Sequence, residues 1–152
     1  MGGNGAYNKA LKRIMAKRRT HREYHDRIGG HKILLQNRNP RQIKLPVKSN
    51  SGNTIYLSGR LIGKDIVEVT TIGIYRNHNC VGQIDLKFDT EGNFIPYSKE
   101  NKDSSHFHLF FTDSKTGETR RKSHDKTNTF PIDSRYSDLI QKIVNYNKQH
   151  KL

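Results

Sequence analysis

The chain has 152 residues, with 28 Lys and Arg against 14 Asp and Glu, a formal net charge of +14 and a pI near 10.0. Hydrophobic residues make up 32 %, against roughly 45–50 % in an average domain that also counts glycine, so one small core fits and two independent cores do not. No run of about 18 apolar residues is present to span a membrane, and the single Cys80 excludes a disulfide framework and a multi-cysteine zinc site.

Residues 1–48 carry 13 Lys and Arg against Glu23 and Asp26, a net of +11 out of the total of +14. A block of this kind attracts phosphate backbones without sequence preference. Residues 1–19 are basic and lack the apolar stretch of a signal peptide, so they read as uncleaved. Together with the lone cysteine this predicts a cytoplasmic protein with a polyanionic partner.

In chain order, the glycines of residues 1–5 form a flexible lead. Ala6, Ala10, Leu11, Ile14 and Met15 then recur at helical spacing among lysines and arginines, predicting a basic amphipathic helix over 6–28, stopped by Gly29-Gly30. Residues 1–30 thus read as a basic helical arm and 31–152 as an α+β domain. Lys12, Arg13, Lys17, Arg18, Arg19 and Arg22 are the arm's candidate nucleic-acid contacts.

After the glycines the apolar period changes to two. Short strands are expected at 31–36, 43–47 (an edge strand because of Pro46) and 54–58. A hairpin follows from 66–75 and 80–88 around the turn Arg76-Asn77-His78-Asn79. In its second strand Cys80, Gly82, Ile84, Leu86 and Phe88 face one way; Val81, Gln83, Asp85 and Lys87 face the other. Cys80 reads as a small buried hydrophobe.

A polar connection, 89–105, leads to the strand 106–111, which places His106, His108 and Phe110 on one face. A basic loop, 112–131, precedes a helix over 134–149 capped by Asp133 or Ser134, with Tyr136, Leu139, Ile140, Ile143 and Val144 as its buried stripe. The fold class is therefore α+β: a basic N-terminal helix, an antiparallel sheet of about five strands, and a C-terminal amphipathic helix packed on it.

The pair His106-x-His108 is the constellation with most chemical content. Two residues apart on a strand, both imidazoles project from one face about 6–7 Å apart, close enough to act as acid and base on one phosphodiester. If the strand holding Asp85 lies alongside, its carboxylate orients an imidazole. Arg120, Arg121, Lys122 and His124 follow in the next loop, where they can hold phosphate and stabilise transition-state charge. Arg121 and His124 join the candidate catalytic set, and Arg120 and Lys122 the nucleic-acid-binding set. This chemistry needs no cofactor; a divalent metal on Asp85, His106 and His108 is the alternative, and two polar-face histidines without catalytic use the plainer one. Tyr24, Tyr56, Tyr75 and Tyr97 are available to stack on unpaired bases.

Through Gly2-Gly3-Asn4-Gly5, Gln83-Ile84-Asp85-Leu86, Gly92-Asn93, Pro96-Tyr97 and Ser105-His106-Phe107-His108, the sequence resembles small phage and mobile-element proteins that have a glycine-rich start, an Ile-Asp strand and a His-x-His strand. That set in turn resembles toxin-like RNase modules of bacterial systems. The resemblance implies an RNA-directed nuclease in which Asp85, His106 and His108 fall on the motif positions, with Arg121 and His124 as looser matches. It also leaves room for a partner protein that neutralises the activity. From another functional class, the same residues fit a non-catalytic phage accessory protein that binds nucleic acid or an acidic host protein through residues 6–27.

Overall fold

A computed structural model describes residues 20–37, 39, 45–121 and 129–150. Eight strands are present among them: β1 (His21–Ile28), β2 (His31–Gln36), β3 (Thr54–Gly63), β4 (Ile66–Arg76), β5 (Asn79–Asp85), β6 (His106–Thr112), β7 (Thr119–Arg121) and β8 (Thr129–Phe130). One 3-10 turn (Ser134–Tyr136) leads into a single helix, α1 (Ser137–His150). The strand order is β1-β2-β3-β4-β5-β6-β7, with β8 also pairing β6. Every pairing is antiparallel except β2 with β3. The α+β class and the C-terminal helix stand, while the sheet is larger than the five strands expected.

The main departure lies at residues 21–28, which form a strand and not the second half of a basic helix. Tyr24 and Ile28 are buried and Asp26 between them is half-buried, giving one inward face at a spacing of two. Gly29 and Gly30, with φ of +58° and +80°, close a two-residue hairpin in which Ile28 pairs with His31. Two successive positive φ values suit the twist of a hairpin and are open to glycine at little cost. The glycines thus turn the chain back on itself. Because β1 and β2 share one sheet, a boundary at residue 30 would cut this hairpin. Residues 6–19, where the rest of that helix was expected, lie outside the described residues, as do Lys12, Arg13, Lys17, Arg18 and Arg19.

Only residues 45–47 of the strand expected at 43–47 are described, and they are not in a strand. Leu45 is buried. Lys48 forms an isolated bridge with Asn79, flanked by Cys80 N–H donating to the Val47 carbonyl at 2.9 Å. The segment therefore lies beside the start of β5. The Lys48 ammonium reinforces this position by donating to the Asn79 side chain, the Gly117 carbonyl and Thr119 Oγ1.

The hairpin of β4 and β5 matches its expected turn: Asn77 and His78 take φ of +50° and +67°, and Arg76 pairs with Asn79. The core gathers Ile33, Leu35, Leu57, Val67, Val69, Ile72, Ile84 and their neighbours against Ile140, Ile143 and Val144 of α1. Asp133 accepts from the Arg135 N–H at the entry to the 3-10 turn, which is the expected cap. Between Ser58 and Gly59 the β3–β4 register shifts, so that Ser58 faces Thr71 while Gly59 faces Val69. Asn147 of α1 reaches this bulge, donating to the Val69 carbonyl at 2.8 Å and accepting from the Val69 N–H at 2.9 Å. Helix and sheet are thereby locked by polar as well as apolar contacts. No helix among the described residues is long and apolar enough to cross a membrane.

Candidate active site

Alternation along β5 buries Cys80, Gly82 and Ile84 and leaves Val81, Gln83 and Asp85 half-buried on the other face. β6 pairs with it so that Asp85 stands opposite His106, Ile84 opposite Phe107 and Gln83 opposite His108. Asp85, His106 and His108 therefore share one face, while Ile84 and Phe107 share the core face. Gly82 makes room for this pairing, since a Cβ there would lie 2.3 Å from the Phe107 ring. The register is reinforced by Ser105, whose hydroxyl accepts from the Lys87 N–H at 2.8 Å and donates to the Lys87 carbonyl at 3.3 Å.

On that face the three polar tips converge. His108 Nε2 lies 2.9 Å from Asp85 Oδ2 and 2.9 Å from His106 Nε2, and His106 Nε2 lies 3.5 Å from the same carboxylate oxygen. The two rings meet edge-on at 89°, with centroids 4.5 Å apart. His106 Nδ1 sits 2.9 Å from the Ser104 carbonyl. A carbonyl only accepts, so Nδ1 carries a proton and, in the neutral ring, Nε2 carries the lone pair.

Exposure is graded across the trio. The Asp85 side chain is 30 % exposed, that of His106 8 % and that of His108 0 %. Both imidazoles are thus buried although they lie on the polar face of β5, while Phe111 on the opposite side of β6 is 47 % exposed. Burial pushes the Asp85 carboxyl up, but hydrogen bonds and charge from His106 and His108 outweigh it and hold the group well below the usual carboxylate range. His106 is raised, chiefly by its contact with Asp85 and against the opposing effect of burial, with help from the Ser104 carbonyl.

Asp85 borders a cleft of about 480 Å³ whose polar walls include Arg60, Glu68, Gln83, Lys87, Asp89 and Arg121. Arg60 faces Glu68 across the β3–β4 ladder and pairs with it at 3.3 Å. Arg121, expected near the site, lines this cleft from β7; Arg120 pairs with Glu118 at 2.9 Å on exposed surface. Arg22 lies on β1, with three strands between it and β5. Lys122 and His124 lie outside the described residues.

Arg60 and Glu68 were not singled out from the sequence, since only the β3–β4 register brings them to Asp85. Lys87 carried a signal, sharing the alternation of Gln83 and Asp85. Among the tyrosines, Tyr24 and Tyr75 are buried and so unavailable for base stacking; Tyr56 packs edge-on against Tyr75 at 5.1 Å. Cys80 is buried, with its thiol pushed up to about 12 by that burial, in keeping with an inert role.

Compared with family models, curated proteins and solved structures, the chain matches none of them.

Proposed function

We propose that this protein is a nucleic-acid-directed nuclease, acting on RNA, with its reaction centre at Asp85, His106 and His108. The observation that carries the reading is the meeting of these three side chains beside a cleft that Arg60, Lys87 and Arg121 also line. A phosphodiester in that cleft would meet Lys87 and Arg121, with Arg60 paired to Glu68 and with Asp85 and Asp89 also in the wall, so cations are at hand for the charge that builds on phosphate but act against nearby carboxylates. The Asp85–His106 pair is the proton-handling unit: the carboxylate favours the protonated imidazole, and an imidazolium can donate to a leaving oxygen. His108, without exposed surface, acts through its neighbours by holding Asp85 and His106 in place. The net of +11 in residues 1–48 would gather the polyanion. The resemblance to phage and mobile-element proteins with toxin-like RNase modules points to the same chemistry and to a bacterial or phage setting.

The test is incubation of the purified protein with total RNA, with and without EDTA, beside His106→Ala and Asp85→Asn variants of confirmed fold. Cleavage by the wild type and its loss in both variants is the expected result. Absence of cleavage under every condition removes the enzyme.

The near-complete burial of His106 and His108 favours a second reading, in which the trio is a structural hydrogen-bond network in a non-catalytic nucleic-acid-binding accessory protein. On that reading, removal of residues 1–19 abolishes nucleic-acid binding, while His106→Ala leaves it intact.

A further inference from the structure

The polar tips at the centre of the β5–β6 face bring three ligand atoms together. With Nδ1 of His106 donating to Ser104, the lone pair on its Nε2 points into a space shared with a carboxylate oxygen 3.5 Å away and a second imidazole nitrogen 2.9 Å away. His108 Nε2 lies 2.9 Å from both Asp85 Oδ2 and His106 Nε2, and a single ring proton there can be donated to only one of them fully. One cation, a proton or a metal ion, can be shared by all three atoms.

The dimensions fit a metal. Sides of 2.9, 2.9 and 3.5 Å define a triangle with a circumradius of about 1.8 Å, so a point about 0.9 Å off its plane is about 2.05 Å from every vertex, the Zn–N and Zn–O bond length. In an ideal tetrahedron with such bonds the ligand atoms stand about 3.3 Å apart, so the three sides need change by only a few tenths of an ångström. The outer partner is also in place: a metal-binding histidine characteristically donates its other ring N–H to a carbonyl or carboxylate, as His106 does to Ser104.

We propose that Asp85 Oδ2, His106 Nε2 and His108 Nε2 form a three-ligand site for a borderline divalent ion of the zinc type. Two imidazoles among three ligands select zinc, cobalt or nickel over magnesium and calcium, which prefer all-oxygen shells. Of the three ligands only Asp85 borders the cleft, so water or a phosphate oxygen would reach the ion from the Asp85 side, and a fourth position open on that side would make it a catalytic zinc and not a closed structural one. Glu68 and Asp89 in the cleft wall offset part of the field of Arg60, Lys87 and Arg121. Ion binding stands on this geometry alone; its use in phosphodiester cleavage rests on the nuclease reading above and would replace the proton transfer by His106, whose Nε2 cannot both bind an ion and carry a proton.

The experiment is titration of the EDTA-stripped full chain with Co²⁺, followed by visible absorption and back-displacement with Zn²⁺. One equivalent should produce the intense d–d bands of four- or five-coordinate cobalt, and Zn²⁺ should abolish them. Asp85→Asn and His106→Gln, shown folded by circular dichroism, should lose the bands at equimolar cobalt. Should either variant fail to fold, ¹⁵N spectra of wild-type imidazoles replace it: zinc must shift Nε2 of both His106 and His108. Absence of the bands, bands retained in both folded variants, or unshifted imidazoles overturns the site. RNA cleavage that survives EDTA together with absent metal uptake overturns the metal and leaves the nuclease standing. Metal uptake without cleavage upholds the site and removes the nuclease.

Discussion

Asp85 and His106 are direct cross-strand partners at the end of β5 and the start of β6, with Asp85 Oδ2 and His106 Nε2 3.5 Å apart. Strand pairing, not a flexible loop, therefore sets their separation. A site held by a ladder has a narrow range of geometries, and a change in either side chain alters the chemistry before it alters the fold. On the nuclease reading, His106→Ala should lower RNA cleavage by about 10²–10⁴-fold, the usual worth of a positioned proton donor. Asp85→Asn should act in the same direction. Initial rates on a defined RNA, with far-UV circular dichroism to verify fold, check both.

The same pair predicts a two-sided pH dependence of stability in the metal-free protein. Asp85 titrates lower when folded, so its contribution is present above its unfolded value near 3.9 and is lost as pH falls toward its depressed folded value. His106 titrates higher when folded, so its contribution is full below about 6.5 and is lost as pH rises through its raised folded value. Urea unfolding in EDTA should show the largest contribution from the pair between about pH 4 and 6.5. Asp85→Asn should flatten both limbs; a profile unchanged by that substitution counts against the coupling.

Asn147 tests the polar lock between helix and sheet. Its side chain satisfies both the N–H and the carbonyl of Val69, a residue with no exposed surface. Asn147→Ala leaves two buried backbone groups unpaired, at a cost of about 2–4 kcal/mol. Asn147→Asp keeps the acceptor but removes the donor to the Val69 carbonyl and should also destabilise. Denaturant midpoints at constant m-value measure both effects.

Gly59 sits at the bulge where β3 changes register, and a Cβ there would meet the Glu68 carbonyl oxygen at 1.9 Å. The obstacle is backbone, which cannot swing aside as a side-chain tip can. Gly59→Ala should therefore cost at least about 1–3 kcal/mol and displace β3 from β4. Because Glu68 and Arg60 both line the cleft, RNA cleavage should fall with it. A variant of wild-type stability would contradict this account of the bulge.

Salt dependence separates capture from chemistry. Residues 1–19 contain six Lys and Arg, and each phosphate contact on a single strand contributes about −0.7 to the slope of log K against log salt. Deleting these residues should reduce the slope by up to about 4. On the nuclease reading, cleavage at saturating RNA should persist. Fluorescence anisotropy on a labelled oligonucleotide, measured over a series of salt concentrations, provides the slope.

Strand alternation is a property of the covalent chain, because successive Cβ atoms leave the backbone on opposite sides. The sequence by itself therefore determined that Asp85 lies away from Ile84, that His106 and His108 share a face, and that the chain ends in a capped amphipathic helix. Gly29-Gly30 between two short β-like runs also marks a hairpin, against the helix expected over 6–28. Tertiary structure decided what no local pattern specifies. The β5–β6 register placed Asp85 opposite His106, the β3–β4 register brought Arg60 and Glu68 into the cleft wall, and packing buried both imidazoles. Register and burial depend on pairing between segments far apart in sequence, and that pairing turns two polar faces into one site.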